Sequence, residues 1–570
     1  MRRAVVIFLV IDSARLVTLT AVQHQRIVVV GGGVGGLVTA GLLAGESREI
    51  TLLEKGDQLG GRMQSETVAS PNDAAHEYRF DTGPSLALMP GIYKQTFEAL
   101  GGIGALSDHV ELLEVADPQY RVWFRDEEGY SSTPVDISRD DAKMQVSFET
   151  LVPGEGADLM RKYKTYLQLA SAFLSFGFDA VIAERPNFNT LPTFLLACLR
   201  AWPLQSHLSM LRAIFGSGAR YSKVHALLSF QDLYIGLAPA ETPAVFSLLQ
   251  ALEYEKGIFY PRGGFGRVAR GLATLAERRG VVLRLGAECS EVVLGAAGDA
   301  TSVRVRVREG EGEGESGRQK DETLPCDAVV VNVDTPRGEE LFFPPDLRDT
   351  IAVQARPSCG IVSLSFALNI TLSSLAHHSL LLGADLDESW RCVALPDASE
   401  FDPERFNFYV HAPSRTDPSA CPLGHDAITV LVPVPPLPLV MDDATPGGHA
   451  RLAAAEAALV ERVESAVLRR LEEMCGLAPT SLRRHVVAQL TRSPLSWRRD
   501  LGLHRGQAFG LAHSLGQLSL LRPRLRHPSV GNVYRVGAST RPGNGVPLVM
   551  EGGRLTAEAV ERGLLQGRGG

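Results

Sequence analysis

The stretch that most constrains this chain is RIVVVGGGVGGLVTAGLLAG, from Arg26 to Gly45. Ile27 to Val30 form the short apolar run that a parallel strand buried on both faces requires. Gly31, Gly33 and Gly36 follow as G-x-G-x-x-G, and Leu37, Ala40, Gly41 and Ala44 then recur at i, i+3, i+4, i+7, which predicts a helix. A second apolar run, Ile50 to Leu53, ends in Glu54, 23 residues after Gly31. Gly31 allows a tight turn, Gly33 lets backbone N–H groups approach a pyrophosphate, and Gly36 lets helix and strand pack closely. The helix N-terminus supplies partial positive charge, and Glu54 can accept a hydrogen bond from a ribose hydroxyl. Strand, glycines, helix and acid together form a dinucleotide-binding βαβ unit; the glycines alone would fit any glycine-rich turn.

At 570 residues the chain exceeds a single core, so two or three domains are expected. The net charge of −8, with no Lys/Arg-rich block, gives no attraction to nucleic acid. Seven scattered cysteines without a C-x-x-C point to a reducing, intracellular setting rather than a disulfide or metal framework. The fourteen histidines include the pair His377-His378 but no H-E-x-x-H, so no metal site is expected. At the N-terminus, Arg2, Arg3 and the apolar Ala4 to Ile11 imitate a short signal, which Asp12 and Arg15 interrupt. Residues 1–24 read either as a targeting or anchoring extension or as a disordered tail.

Further along, KGDQLGGRMQS carries Gly60-Gly61-Arg62, where a glycine pair admits a ligand and Arg62 can meet a phosphate; a plain surface loop would read the same way. The text from Phe80 to Pro90 reads as strand-like, and Asp108 to Phe148 as short strands of an antiparallel sheet. Residues 155 to 250 read as helical, with apolar stretches at Tyr166 to Ile182 and Leu191 to Phe215. After YPRGG, the stripe Phe265, Val268, Ala269, Leu272 and Ala276 predicts an amphipathic helix. TSVRVRVRE alternates valine and arginine as a half-solvated strand, and CDAVVVNVDTP reads as a buried strand. Three strand-like runs follow between Gly360 and Pro433, then a helix from Ala453 to Met474. The closing NVYRVGASTRPGNGVPLVMEGGRLTAEAVERG repeats the strand–loop–helix pattern, with a helix from about Pro547 to Arg562. A second helix N-terminus aimed at the cofactor suits a flavin, whose reduced ring carries negative charge.

These motifs together resemble the FAD-dependent phytoene desaturases of the bacterial and fungal type, within the amine-oxidase-like flavoproteins. The resemblance rests on RIVVVGGGVGGL, LEKGDQLGGRM, YRFDTGPSLALMP, YSKVHALLSFQDLYIGLAP, SLLQALEYEKGIFYPRGG, FNFYVHAPSRTDPSACP and HRGQAFGLAH with VGASTRPGNGVP, spanning about residues 26 to 562. It implies an α/β fold: a Rossmann-type FAD-binding domain interleaved with an antiparallel-sheet substrate domain and a helical, membrane-facing region. The FAD-binding parts would be 25–105, 256–345 and 521–565, the substrate sheet 106–150 and 346–520, and the helical lid 151–255. Gly31, Gly33 and Gly36 would hold the FAD pyrophosphate and Glu54 the adenosine ribose. Gly61 and Arg62 would lie along the phosphates and flavin, Cys289 would offer a backbone contact to adenine, and Gly537, Gly545 and Val546 would sit at the flavin end.

The implied reaction is desaturation of a long apolar polyene precursor such as phytoene, with oxygen or a quinone as electron acceptor and no metal. The implied location is a peripheral one on an intracellular membrane, a plastid or other organelle being open from the extension. Leu204, Leu208, Leu211 and Phe215, with Phe194, Leu195, Leu196 and Trp202 before them, offer the membrane contact or else pack over a substrate tunnel. Related polyene flavoproteins (a carotenoid isomerase, a carotene oxygenase, a retinol saturase) are alternatives, although GGRM differs from the GGSSG of isomerases. A prenyl-binding escort protein is the alternative outside enzymes. One departure stands out: where the family loop reads S/G-T-H-P-G, this chain has Ser539-Thr540-Arg541-Pro542-Gly543. Arg541 cannot accept a proton as histidine can. Either the reaction is altered there or Arg541 only carries a cation at the loop.

Overall fold

The computed structural model describes residues 24–566 other than 72, 127, 128, 132, 178–187, 309–318, 384, 392–394, 396–399 and 439–447. The N-terminal extension through residue 23 and the acidic EGEGEGESG segment therefore lie outside the described residues.

Five parallel strands carry the cofactor half of the molecule. Gln25–Val30 lies at the centre, flanked by Arg48–Leu53 and Ala328–Val331, with Val282–Arg284 and Val533–Arg535 at the edges. Ile27 to Val30 are all buried, as a two-sided parallel sheet demands of its central strand. The helix Val34–Leu43 follows directly from the glycine loop and is buried at every position except Leu42. It packs against Gly266–Arg278 and the C-terminal helix Val546–Gln566. At the second crossing Thr39 Oγ1 donates to Gly553 O at 3.2 Å, and a Cβ on Gly553 would stand 2.8 Å from Val38 Cγ1. Small residues thus set the helix spacing.

The second half is built on an eight-stranded sheet. Its main path runs Val486–Arg492, Gly360–Leu368, Asp426–Val434, Phe408–His411, His378–Gly383, Tyr120–Asp126, Gly129–Tyr130, with Val135–Ile137 pairing to Tyr120–Asp126. It is antiparallel except where His378–Gly383 runs parallel to Tyr120–Asp126. Helices Asp141–Leu151, Gly156–Gly177, Leu191–Arg200, His207–Phe215, Ser222–Ser229 and Leu248–Lys256 make up the helical region. A three-stranded sheet, Ala287–Leu294, Ala300–Arg308 and Gln319–Pro325, adjoins Glu54, whose backbone oxygen accepts from Ala287 N at 2.9 Å. There Val303 and Val305 are fully buried while Arg304 and Arg306 face solvent and pair with Glu291 and Glu288, so the alternation reads true.

Several boundaries differ from the sequence expectation. The run from Phe80 to Pro90 is not a strand throughout: the strand ends at Asp81, and Pro90 opens the helix Pro90–Gly101, as proline does at a first helical turn. Asp108 to Phe148 is not all sheet, because Asp140 caps the helix Asp141–Leu151 through backbone N–H groups of Ala142 and Lys143. Leu112–Glu114 also pairs with Phe259–Pro261 rather than joining the large sheet. The helix expected over Ala453 to Met474 spans Gly448–Cys475, with Leu459, Val463, Val467 and Leu471 buried in line.

Among the glycines of the helix Val34–Leu43 the tightest contact is at Gly36, where an added Cβ would lie 2.2 Å from the carbonyl oxygen of Gly31. Both atoms belong to backbone, so neither can swing aside. Gly36→Ala is expected to cost about 3 kcal/mol or more, as overpacking of rigid atoms does, measured as the shift of the urea unfolding midpoint. An unchanged midpoint would contradict this packing.

Candidate functional site

A single cavity of ≈ 1960 Å³ runs from the glycine loop into the second half of the molecule. Of the ten residues the sequence singles out, Gly31, Gly33, Glu54, Gly61, Arg62, Cys289, Gly537, Gly545 and Val546 all line it. Gly36 does not; it stands behind the loop and sets the helix against the strand.

Beside the glycine loop the Glu54 carboxylate bridges the turn. Its Oε2 accepts from the Gly32 N–H and its Oε1 from the Gly56 N–H, each at 2.8 Å. The backbone oxygen of Glu54 accepts from Ala287 N at 2.9 Å, which places the strand bearing Cys289 beside it. Burial pushes the Cys289 thiol up to about 12, so this group stays a neutral, unreactive thiol and offers backbone or apolar contact.

The middle of the cavity is organised by residues that sequence reasoning passed over. Asn332, at the end of Ala328–Val331, donates from Nδ2 to Gly31 O at 3.0 Å, and its own N–H donates to Val30 O at 2.8 Å. Asp334 accepts from His504 N at 2.8 Å, from Gln507 Nε2 at 2.7 Å and from the Ser539 hydroxyl. Arg62 Nη1 donates to Ala508 O at 2.8 Å; burial lowers its pKa and the Asp334 charge opposes that. Arg522, fully buried, donates to the carbonyls of Leu511, Ala512, Gln517, Ala538 and Thr540. Burial pulls its pKa down to about 9, again with Asp334 opposing. These contacts fasten segment 504–517 to loop 537–545 around one end of the cavity. The sequence reads as buried strand through Asn332 and Asp334 to Pro336, whereas the strand ends at Val331 and both polar residues lie just beyond it; RPRLR, which holds Arg522, reads as ordinary loop.

Arg541 is not among the cavity-lining residues; its guanidinium donates to Leu520 O. The structure thus gives it a place in the loop, bonded to Leu520, which itself lines the cavity. His513 does line the cavity and is buried, and desolvation holds it neutral, well below the ordinary histidine pKa.

Beyond Tyr234 and Tyr409 the walls turn apolar, with Phe194, Leu204, Val245, Leu249 and Leu252 among them. Phe194 stacks on Phe176 at 4.7 Å between ring centroids. Of the stretch Leu191 to Phe215, the second helix faces inward: Leu208, Leu211 and Phe215 are buried and so cannot meet a membrane. Leu195, Leu196, Leu199, Trp202 and Leu204 remain exposed, Leu199 at 85%. Among the described residues no helix is long and apolar enough to cross a membrane, and no group of His, Cys, Asp and Glu side chains could hold a metal.

The cavity fits an FAD on direct grounds. Gly545, at φ +98°, has nothing within 4 Å of where a Cβ would project, and Gly61 has only the Gly33 Cα at 3.4 Å. These backbones therefore face cavity rather than protein, and helices Val34–Leu43 and Val546–Gln566 both start at its wall. Gly545→Val is expected to fold with a loss of about 1–3 kcal/mol from the positive φ and to purify with at least tenfold less flavin. Flavin absorbance per protein, against the thermal unfolding temperature, checks this; full flavin content would remove Gly545 from the site.

A family model described as flavin containing amine oxidoreductase matches residues 34–561. The chain is 33% identical over 561 residues to the phytoene desaturase of Neurospora crassa, covering 94% of this chain and 85% of that one. It is 30% identical over 549 residues to the zeta-carotene-forming phytoene desaturase of Myxococcus xanthus, covering 94% of each. Among solved structures, a putrescine oxidase variant superposes with a TM-score of 0.57 at 12% identity, over 94% of this chain and 99% of that one, a likeness of fold alone. The chain belongs to the flavin containing amine oxidoreductase family, and its cofactor is FAD.

Proposed function

We propose that this protein desaturates a carotenoid precursor such as phytoene, an FAD-dependent oxidation of a CH–CH bond. The observation that carries the reading is the continuity of one cavity, from a dinucleotide-binding glycine loop to an apolar chamber. The names of the relatives from Neurospora crassa and Myxococcus xanthus agree with it. Bound FAD supplies a two-electron acceptor at ring nitrogen N5. The chain supplies the rest. Gly31, Gly33 and the helix they precede would hold the pyrophosphate, Glu54 the ribose, and Gly537, Gly545 and Val546 the flavin end. The apolar walls from Phe194 to Leu252 would align a long hydrocarbon, exclude water and bring one pair of carbons to the flavin. Isomerase, oxygenase and saturase readings share this architecture but are not what the named relatives suggest, and a non-catalytic escort would not need the flavin end of the cavity.

Expression in a phytoene-accumulating bacterium tests the reading directly. Coloured, more conjugated products are expected in the pigment extract, and unchanged phytoene alongside a flavin-loaded protein would overturn it. The electron acceptor we propose is oxygen or a membrane quinone, since the one complete G-x-G-x-x-G βαβ unit is taken by FAD and leaves nicotinamide without a site.

The protein is further proposed to work at an intracellular membrane surface, in a plastid or other organelle if the extension directs it there. A carotenoid-sized hydrocarbon does not cross water readily, and the exposed Leu195, Leu196, Leu199 and Trp202 adjoin the Phe194 and Leu204 end of the cavity. Liposome flotation should therefore fall at least fivefold in Leu196→Glu/Leu199→Glu at unchanged flavin content. If this double variant floats like wild type, the helix Leu191–Arg200 is not the contact.

A further inference from the structure

The apolar end of the cavity carries a second exposed segment besides Leu195 to Leu204. It consists of two single-turn helices, Leu515–Gln517 and Ser519–Leu521, and it exposes Leu515, Leu520 and Leu521, the last two at 65% and 56%. Leu515, Leu518, Leu520 and Leu521 also line the cavity, as does the exposed Leu204. A residue that is both cavity wall and outer surface marks an opening. Contacts on the page bring the two segments together there. Val245 N donates to Pro203 O at 2.8 Å, and the next residue, Phe246, lies edge-on to His513 with ring centroids 5.7 Å apart. Nearer solvent, Glu241 pairs with Arg356 at 2.9 Å, and Arg356 N donates to Gln517 Oε1 at 2.6 Å.

The second segment is fastened from behind. Gln517 Nε2 donates to Arg356 O at 3.0 Å and to Ala512 O at 2.9 Å, the buried Arg522 grips the carbonyls of Ala538 and Thr540, and Arg541 donates to Leu520 O. Leu520 and Leu521 therefore stand in water on a fixed turn, which is unfavourable unless something apolar covers them. Charge indicates what does. The chain as a whole carries −8, yet residues 188–222 and 502–550 contain no Asp or Glu. Arg200, beside Leu199, and Arg524, three residues after Leu521, are both exposed. Leucines and Trp202 in carboxylate-free stretches, with arginines at their edges, suit an anionic lipid surface: apolar side chains enter the acyl region and the cations stay with the phosphates. A second copy docked by two-fold symmetry would instead set these arginines against one another.

We propose that Leu515 to Leu521 and Leu195 to Leu204 are the two lips of the cavity mouth, and that both dock in one anionic bilayer. A polyene then passes from the acyl region to the flavin end of the cavity without entering water. The proposal rests on the membrane-surface reading above and adds to it a second contact, a lipid charge and a route.

The test uses flavin-loaded protein and vesicles of phosphatidylcholine, alone or with about a third phosphatidylglycerol. Wild type should float at least about fivefold better on the anionic vesicles. In Leu520→Glu/Leu521→Glu that flotation should fall at least about fivefold, with flavin content and thermal unfolding temperature unchanged. Arg200→Gln/Arg524→Gln should lose flotation on anionic vesicles alone. Trp123, Trp390 and Trp497 are buried, so in Trp202→Phe/Leu520→Trp brominated lipid should quench the tryptophan placed at 520 and report its insertion. Turnover of a polyene held in the vesicles should fall at least about tenfold in the leucine variant, while turnover of the same polyene in detergent stays within twofold of wild type. If Leu520→Glu/Leu521→Glu floats like wild type while Leu196→Glu/Leu199→Glu does not, the second lip is wrong and the membrane reading stands. Equal flotation of wild type on both vesicles overturns the lipid charge. A leucine variant that changes from dimer to monomer in sedimentation, yet still floats, makes the segment a contact between copies and overturns the proposal. A wild type that floats on neither vesicle defeats the membrane reading itself, and one that floats but converts no polyene defeats only the desaturase reading.

Discussion

Between the strand Gln25–Val30 and the helix Val34–Leu43 there is room at Gly36 for a hydrogen and nothing larger, because the Gly31 carbonyl occupies the space. The same carbonyl accepts the amide of Asn332 from the neighbouring strand. Everything else in the cofactor half is positioned from this contact. It sets the direction of the helix and therefore where its N-terminal N–H groups point. It also fixes the surface on which the C-terminal helix lies, through Thr39 and Gly553. The two helix N-termini at the cavity wall are thus consequences of one close approach, with the second helix referenced to the first.

The local parts of this arrangement were open to reading from the sequence, and the non-local parts were not. A buried strand, a glycine turn and an amphipathic helix each follow from spacing within a few residues, so Ile27 to Ala44 and the stripe Phe265 to Ala276 could be placed before any coordinates. Helix starts at Pro90 and Asp140 were legible in principle, since proline and aspartate act through the first turn, but alternating apolar text outweighed them. Asn332, Asp334 and Arg522 could not be found this way. Their partners lie at Gly31, in segment 504–517 and in loop 537–540, and neither the buried-strand text around Asn332 and Asp334 nor the loop text around Arg522 says what those polar groups meet. The stretch Leu191 to Phe215 shows the same limit: apolar spacing identifies a face without saying which neighbour covers it, and the second helix turned inward.

The interior around the cavity also holds polar groups with little free charge. His377, His378 and His411 form a buried cluster, joined by a 3.2 Å contact between His411 Nε2 and His377 Nε2 and a 2.6 Å contact from His378 Nδ1 to Tyr409 OH. Desolvation depresses all three, His377 to about 3, so they are neutral imidazoles at the end of the strand pair His378–Gly383 and Phe408–His411. Arg522 spends its charge on five carbonyls.

The parallel sheet draws its strands from three distant stretches of chain, and its edge strand Val533–Arg535 pairs last in sequence order. On the ribosome the order of synthesis is therefore opposed to the order of closure. Strands Gln25–Val30 and Arg48–Leu53 emerge early and Ala328–Val331 past the middle, yet its edge neighbour Val533–Arg535 and the covering helix Val546–Gln566 arrive only near the end of translation. Until then the growing polypeptide carries an unpaired apolar strand edge, the kind of surface that chaperones hold and that aggregates when they do not. Cofactor loading is consequently a late event in biogenesis, and truncation anywhere before the final helix should yield chaperone-bound, colourless protein rather than a smaller working flavoprotein.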